Sequence, residues 1–334
     1  MTISLRLFGC AVGFAALALT GALAQSPASI SIELVGTFDY PGTGIQTLPQ
    51  KISDKNDIVG TFVDASGVTR GFVMLANGRF TNPLVDPADT VGFTEGRGIN
   101  GSRVVCGDYA NDTSGNLHGY FFFNGFYQNF DVFGSTFTAV LGINNARDFA
   151  GSMIPASGIQ DAFLSISGTI TEFAVTGATA TLAYQLNATN QSCGYYVDAD
   201  GVTTHGYWRD SDGTIHSPID PVGSTGTILF GNNNTNQMVG RYVDAAGATH
   251  GILFLPSNNS FVVYDFPGST FTSLNGINKR GEIVGRYVDP STGIAHGILL
   301  QVVRSNAGVT LPLAPPSAPA QAVPQRAMVT APAY

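Results

Sequence analysis

The sequence predicts an all-β protein, a β-propeller of about six four-stranded blades. The first observation is a glycine that follows an apolar pair and recurs roughly every 45 residues. It stands at Gly60, Gly107, Gly151, Gly194, Gly240 and Gly285. A fixed period of this length is typical of a repeat protein in which each repeat is one supersecondary unit.

The second observation is that each repeat contains four strand-length apolar runs separated by turn residues. In the last repeat these runs are Phe261–Phe266, Thr272–Asn278, Glu282–Val288 and His296–Val303. The third run is apolar at both odd and even positions, which indicates a strand buried on both faces of its sheet. Stacked four-stranded sheets of this kind favour propeller blades. Seven blades and a β-solenoid remain the alternatives.

The third observation concerns how the ring closes. The chain begins its repeats with an unpaired strand, Ile30–Tyr40, and the sixth repeat ends after its third strand near Val303. We expect the N-terminal strand to supply the missing outer strand of the sixth blade, since this removes two exposed sheet edges.

Three segments follow from composition. Residues 1–24 are predicted to be a signal peptide, with Arg6, an apolar run from Leu7 to Leu19, and an Ala22-Leu23-Ala24 cleavage site. Residues 30–304 form the repeat domain. Residues 305–334 are rich in proline and alanine and are predicted to be a disordered tail. The protein is therefore expected to be secreted, to the extracellular space or the periplasm.

The charge balance excludes several partners. The chain has 15 Lys and Arg against 23 Asp and Glu, and its three lysines are Lys51, Lys55 and Lys279. Nucleic acids and anionic membranes are bound by clustered cations, so neither is expected as a partner. No apolar stretch beyond the signal peptide is long enough to span a bilayer. We expect a monomer whose partner is an unknown extracellular ligand or protein.

Several positions recur for structural reasons. The repeated glycine lies inside a strand, which indicates a close approach between blades or a β-bulge. The large side chains two positions later are expected to pack between blades: Phe62, Tyr109, Met153, Tyr196, Tyr242 and Tyr287. Two cysteines of the repeat domain, Cys106 and Cys193, are expected to be unpaired and buried.

Four histidines share one repeat position, and each follows an aspartate across a short hairpin. The predicted pairs are His118 with Asp112, His205 with Asp198, His250 with Asp244 and His296 with Asp289. Radial repetition would spread these histidines around the ring, so we expect turn pairs and no metal site.

Candidate functional residues are those that break the repeat. Glu95 and Arg97 lie two apart in the predicted innermost strand of the second repeat and therefore point to one side of it. The position after the repeated glycine also varies, with Asp108, Arg241 and Arg286 among its residues. Two arginines on neighbouring blades could hold a carboxylate or sulfate. Glu95, Arg97, Asp108, Arg241 and Arg286 are therefore the predicted ligand-binding residues, with the Glu95/Arg97 cluster and the Arg241/Arg286 pair as two separate candidate sites.

The recurring phrase G-I-N-x-x-x-x-I-V-G-x-Y-x-D-x-x-G-x-x-H-G, closed by D-x-P-G-[ST]-x-T, resembles the bacterial HAF family of extracellular repeat proteins. It is clearest at Gly276-Ile277-Asn278, Val284-Gly285-Arg286-Tyr287-Val288-Asp289 and His296-Gly297-Ile298. The resemblance covers roughly Asp39 to Val303 and departs in the third repeat, at Asp161 and Ala162. It implies secretion and a propeller-like repeat, and it brings no catalytic residues.

Three functions fit the sequence. The favoured one is a binding or interaction scaffold, for a polysaccharide or an envelope partner. A glycan-active hydrolase or lyase would use Glu95 together with Asp108 or Asp89 near the axis. A structural surface protein would be tethered by the tail. The chain shows no nucleophile, metal or dinucleotide motif. We therefore assign no catalytic residue and expect no cofactor, and the sequence favours a non-catalytic protein.

Overall fold

The computed structural model describes residues 29–42 and 44–305, and none of these residues is helical. Residues Ile30–Arg304 form one compact unit. The predicted signal peptide lies outside the described residues, as does the predicted tail apart from Ser305, which ends the last strand. In this part of the chain no helix has the length and apolar character needed to cross a membrane.

The described residues form six antiparallel sheets, which we number as blades 1 to 6. The first strand of the chain is β1 (Ser29–Phe38). Blade 1 contains β2 (Gln46–Ile52), β3 (Ile58–Val63) and β4 (Thr69–Met74). Blade 2 contains β5 (Thr94–Ile99), β6 (Val105–Tyr109), β7 (His118–Phe123) and β8 (Phe126–Phe130). Blade 3 contains β9 (Phe137–Ile143), β10 (Phe149–Ile154), β11 (Asp161–Ile166) and β12 (Thr169–Phe173).

The remaining blades repeat this pattern. Blade 4 contains β13 (Ala180–Leu186), β14 (Ser192–Val197), β15 (Thr204–Arg209) and β16 (Ile215–Ile219). Blade 5 contains β17 (Ser224–Asn232), β18 (Met238–Asp244), β19 (Thr249–Leu255) and β20 (Ser260–Tyr264). Blade 6 contains β21 (Thr272–Ile277), β22 (Glu282–Val288) and β23 (Ala295–Ser305).

The six blades close into a ring. The first strand of each blade contacts the first strands of both neighbours, and β2 of blade 1 contacts β21 of blade 6. These six strands therefore surround a central axis. The prediction of a six-bladed propeller is confirmed, and the alternatives of seven blades and a β-solenoid are wrong.

Two blades have unusual outer strands. In blade 6 the strand order is β1-β23-β22-β21, so a strand from the start of the domain pairs with one from its end. In blade 1 the outer strand is reduced to isolated bridges from Phe80 to Met74 and from Leu84 to Gly71. Pro83, which has no amide hydrogen to donate, lies between these bridges.

The apolar core is divided among the six interfaces between neighbouring blades. Between blades 5 and 6, Val239 and Leu253 pack with Leu274 and Ile298, and all four are buried. Equivalent clusters lie at the other five interfaces. Cys106 and Cys193 are buried and unpaired in two of these clusters, as predicted. Burial on both faces of the inner strands explains why their sequences are apolar at both parities.

Each first strand carries a β-bulge opposite the repeated glycine. The register shifts by one residue within all six pairs of first and second strands, as between Ala183 and Gln185. A Cβ atom on Gly151 would lie 2.0 Å from the carbonyl oxygen of Ala139, which belongs to the same blade. The bulge interpretation of this glycine is confirmed, and its interpretation as a contact between blades is wrong.

A different glycine position brings neighbouring blades together. A Cβ on Gly142 would lie 2.5 Å from the carbonyl oxygen of Tyr184 in blade 4, and one on Gly276 would lie 2.8 Å from the Cα of Lys51 in blade 1. The backbones of adjacent first strands are thus in direct contact at the axis, which only glycine allows at these distances.

A belt of asparagines joins the blades at the ends of their first strands. Each Nδ2 donates to the backbone carbonyl of the equivalent residue in the next blade, at 3.1 to 3.3 Å. The asparagines are Asn100, Asn144, Asn187, Asn233 and Asn278. Blade 1 has Ser53 here, and an ion pair from Arg103 Nε to Asp57 Oδ2 (2.6 Å) links blades 1 and 2 instead.

The repeated histidines pair with different aspartates from those predicted. Their Nδ1 atoms lie 2.6 to 2.9 Å from the aspartate that follows the outer strand of the same blade. The pairs are His118 with Asp131, His205 with Asp220, His250 with Asp265 and His296 with Asp39.

The predicted hairpin partners play a smaller part. Asp244 lies 3.3 Å from His250 Nε2, and Asp198 lies 4.0 Å from His205. Asp112 and Asp289 instead accept backbone hydrogen bonds within their own turns. Four of the six large side chains predicted to pack between blades do so, namely Phe62, Met153, Tyr242 and Tyr287. The four repeat tyrosines also lie against these histidines, with ring centres 4.8 to 5.4 Å apart, as Tyr242 does against His250.

Replacing Asn187 by alanine should lower the free energy of unfolding by about 1–3 kcal/mol, because buried donors and acceptors lose their partners. Asn187 links blades 4 and 5 through the carbonyl of Asn233, and its Oδ1 caps the turn that follows. Urea unfolding followed by circular dichroism measures this. Asn258, an exposed turn residue, is the matched control, and its alanine variant should change stability by less than about 0.5 kcal/mol. Equal effects at both positions would contradict a bracing role for the belt.

Candidate functional site

The bulge in each first strand turns one extra side chain toward the axis. The six bulge residues, one from each blade, are Gln50, Arg97, Leu141, Tyr184, Phe230 and Asn275. Their chemistry differs from blade to blade, since they include amide, charged, aliphatic and aromatic side chains. The axis is therefore where the repeats depart most from one another.

Blade 2 contributes a charged cluster. Arg97 Nε donates to Asp108 Oδ2 at 2.9 Å, and the same guanidinium donates to Glu95 Oε2. The register places Glu95 directly opposite Asp108 on the neighbouring strand. The predicted pairing of Glu95 with Arg97 is confirmed, and Asp108, predicted from a different position in the repeat, belongs to the same cluster.

Burial sets the electrostatics of this cluster. Burial raises the pKa of Glu95 to about 7, and nearby Asp108 raises it too, against the lowering effect of Arg97. Burial alone would lower the pKa of Arg97, but its two carboxylate partners outweigh this and raise it overall. Asp108 Oδ1 is buried and has no hydrogen-bond partner among the described residues.

Blades 5 and 6 contribute two arginines that share an aromatic ring. The guanidinium carbons of Arg241 and Arg286 each lie 5.5 Å from the ring centre of Phe271, and that of Arg241 lies 5.5 Å from Phe230. Within residues 29–42 and 44–305, neither guanidinium has a hydrogen-bond acceptor or an ion-pair partner. Cation–π contacts are their only polar interactions in this region.

The two arginines repel each other and are partly buried. Burial lowers the pKa of Arg286 to about 10, and the positive charges of Arg241 and Arg97 lower it further. Burial also lowers the pKa of Arg241. Arg286 is close enough to blade 2 for the charges of both Glu95 and Arg97 to influence its pKa. All five residues therefore lie near the axis and are linked by electrostatic interactions.

Aromatic side chains form the wall of this site on the side of blades 4 and 5. Tyr184 lies 5.0 Å from Phe230 and 5.9 Å from Tyr195, measured between ring centres. Burial raises the pKa values of both tyrosines, so both hydroxyls are protonated at neutral pH. Repeat comparison did not single out Tyr184, because its axial orientation depends on the bulge.

Lys51 crosses the axis and was missed as a site residue. It occupies the position where four other blades have glycine, and it is buried. Its Nζ donates to the backbone carbonyls of Phe230 in blade 5 and Asn275 in blade 6, the latter at 3.2 Å. It also lies 5.9 Å from the ring centre of Tyr184 in blade 4. Burial lowers the pKa of Lys51 to about 8. The substitution of lysine for glycine was the available sequence signal.

Asp89 is not part of this site. Its Oδ1 accepts three backbone hydrogen bonds from Val91, Gly92 and Phe93, and its Oδ2 accepts one from the hydroxyl of Thr94. These bonds shape the loop that enters blade 2. The carboxylate that accompanies Glu95 is Asp108, and both bind the same guanidinium, that of Arg97.

The described residues contain no group of three His, Cys, Asp or Glu side chains that could hold a metal ion. The site instead combines two cations without acceptors, an ion-paired cluster and an aromatic wall. Such an arrangement can hold an anion in a water-poor setting, where charge-assisted hydrogen bonds to arginine are strong.

Comparisons with known proteins add the fold alone. No protein-family model and no curated protein matches the chain. Among solved structures, a putative TolB from Agrobacterium tumefaciens is similar over 83% of this chain and 98% of that one, at 11% identity and a TM-score of 0.53. A lectin from Aleuria aurantia covers 86% of this chain and 98% of its own, at 11% identity and a TM-score of 0.48. The likeness to TolB agrees with a β-propeller and carries no activity.

Replacing Lys51 by methionine should change how stability depends on pH. The folded-state pKa of about 8 lies below the unfolded value of about 10.4. The unfolded state therefore binds more protons between these values, and the stability of the wild type rises with pH there, relative to the variant. Urea unfolding at pH 7 and pH 9.5 measures the difference. Lys55→Met, at an exposed lysine, should track the wild type. A parallel pH profile for Lys51→Met would show that Lys51 titrates normally.

Proposed function

We propose that this chain is a propeller binding protein whose axial site takes an anionic ligand. The observation that supports this most directly is the pair of partly buried guanidiniums, Arg241 and Arg286, which both lie 5.5 Å from the ring centre of Phe271 without any acceptor among the described residues. Buried cations are costly unless they are paired. A carboxylate or sulfate that bridges the two would supply the missing acceptors.

The local charge favours this ligand despite an acidic chain. The formal net charge is −8, yet the axial site combines Arg97, Arg241 and Arg286 with only two carboxylates, Glu95 and Asp108. Because Arg97 is already bound by both carboxylates, the other two arginines remain available. Planar guanidiniums bind carboxylate and sulfate groups through pairs of parallel hydrogen bonds.

We further propose that the ligand is an acidic sugar of an extracellular or envelope polysaccharide. Tyr184, Tyr195 and Phe230 present aromatic surface beside the arginines. Such rings have apolar faces with polar edges and suit ligands that combine apolar patches with hydroxyl groups. The predicted signal peptide at residues 1–24 supports a location outside the cytoplasm, where such polymers occur.

The geometry does not favour a glycoside hydrolase. Hydrolysis by two carboxylates needs roughly 5 to 10 Å between them, with the glycosidic bond or a water in the gap. Here the two carboxylates lie on directly opposed residues of paired strands, and both are engaged by the same guanidinium, that of Arg97. We therefore assign Glu95 and Asp108 the role of holding Arg97 in place.

Binding of polygalacturonate, a polymer of carboxylated sugars, tests the proposal. Isothermal titration calorimetry should show binding of polygalacturonate and none of neutral dextran. The double variant Arg241→Gln/Arg286→Gln should weaken the binding at least about tenfold, because charge-assisted hydrogen bonds are lost. Glutamine is used because it keeps a polar side chain without the charge.

Arg79→Gln is the matched control, since Arg79 is an exposed arginine outside the axis. It should bind polygalacturonate as the wild type does. If the double variant binds as tightly as the wild type, the acidic ligand lies elsewhere and the axial site is wrong. If neither polygalacturonate nor dextran sulfate binds the wild type, the anionic ligand is wrong.

The affinity should also depend on pH through Glu95. Its carboxyl ionises near pH 7, so raising the pH from 6 to 8 adds a negative charge within reach of Arg286. The affinity for polygalacturonate, whose carboxylates are ionised throughout this range, should fall as the pH rises. Glu95→Gln should flatten this dependence, whereas Glu33→Gln, at an exposed glutamate, should retain it. If the affinity of Glu95→Gln depends on pH as that of the wild type does, the ionisation of Glu95 does not influence ligand binding.

A further inference from the structure

We propose a second binding site, independent of the axis, that takes an amphiphile carrying a single carboxylate, of the fatty-acid class. The site is a cavity of about 570 Å³ between blades 2 and 3. We call it the aromatic groove and define it by Phe121, Phe123, Phe126, Phe130, Phe149 and Ile170. Its volume lies within the range of small-molecule sites, about 300–1,000 Å³.

Two hairpins form the sides of the aromatic groove. The β7–β8 hairpin turns at Asn124 (φ 52°) and Gly125 (φ 86°), and the β11–β12 hairpin turns at Ser167 (φ 51°) and Gly168 (φ 81°). Positive φ at both turn residues gives tight two-residue turns that hold the strands firmly. The two turns, which we call the hairpin tips, therefore form rigid sides of the groove at one edge of the propeller.

The floor of the groove is continuous with the core. Phe149 packs edge-on against Phe121 at 4.9 Å and against Phe130 at 5.0 Å, measured between ring centres. All three pack on the buried cluster between blades 2 and 3, which includes Phe163. The groove is thus preformed, and an apolar ligand would enter it without displacing the core.

The two hairpin tips expose apolar surface. The side chain of Phe126 is 78% exposed, and Phe123 and Ile170 are also exposed. The corresponding tip in blade 4 is Asp210-Ser211-Asp212-Gly213, which is fully polar. Single exposed apolar residues are normal on a protein surface, whereas exposed aromatic residues that cluster around a cavity indicate a binding surface.

The charge at the rim selects the ligand. Arg147 is the only charged residue that lines the groove, and its guanidinium lies 5.7 Å from the ring centre of Phe123. Among the described residues it has no ion-pair partner, and the adjacent carboxylate of Asp148 is engaged by Ser167 and Asn144. One cation above an apolar cavity complements one carboxylate on an apolar chain.

Fluorescence titration with cis-parinaric acid, a fluorescent fatty acid, tests this site. The wild type should bind the probe, and dodecanoate should displace it more effectively than dodecanol. Phe126→Ala should weaken binding at least fivefold, because part of the apolar wall is removed. Arg147→Gln should abolish the preference for dodecanoate over dodecanol. Phe133→Ala, at a fully exposed phenylalanine outside the groove, is the control and should bind as the wild type does.

The test separates this site from the axial one. The Arg241→Gln/Arg286→Gln variant should bind cis-parinaric acid as the wild type does, whatever happens to its binding of polygalacturonate. Absence of probe binding, or wild-type binding in both Phe126→Ala and Arg147→Gln, would overturn the proposal. A wild-type dimer that Phe126→Ala dissociates, without any probe binding, would assign the groove to a second copy of the chain.

Discussion

Every blade carries a β-bulge in its first strand, opposite a glycine, and this bulge determines how the six blades meet at the axis. It lets six first strands approach the axis while each turns one side chain inward. A side chain at Gly151 would clash with the backbone, because its Cβ would lie 2.0 Å from a carbonyl oxygen of the same blade. A second glycine position, such as Gly142, allows neighbouring first strands to touch. Together these features make the axis narrow, and side chains from opposite blades therefore meet there.

This geometry explains why function can be placed on a repeated scaffold. The positions that build the interfaces between blades must stay apolar, because each cluster is shared by two repeats. The bulge residue and the residue after the repeated glycine face the axis and are free to differ. Blade 2 uses them for the cluster around Arg97, blades 5 and 6 for two arginines, and blade 4 for Tyr184. The proposed binding site combines side chains that no single repeat contains.

The features that could be predicted from the sequence are those that depend on local periodicity. The strands, the blades, the bulge glycine and the Glu95–Arg97 pair follow from spacing and alternation. The closeness of Arg241 and Arg286 to the charged cluster of blade 2 could not be predicted from spacing, because ring closure brings together residues that are far apart in the chain. Lys51 was missed since its role depends on the carbonyls of blades 5 and 6. The predicted pair of His250 with Asp244 is present, but the aspartates that follow the outer strands were missed as histidine partners, because their proximity depends on how the outer strand pairs in the sheet.

If Arg241 and Arg286 form an anion site at the axis, anomalous diffraction from crystals soaked in selenate should reveal it. Selenate has the charge and shape of sulfate, and selenium is located without ambiguity by its anomalous signal. We expect a selenium peak within hydrogen-bonding reach of both guanidiniums, beside the ring of Phe271. No peak there in crystals that bind selenate elsewhere, or arginines turned into ion pairs with carboxylates of the chain, would contradict it.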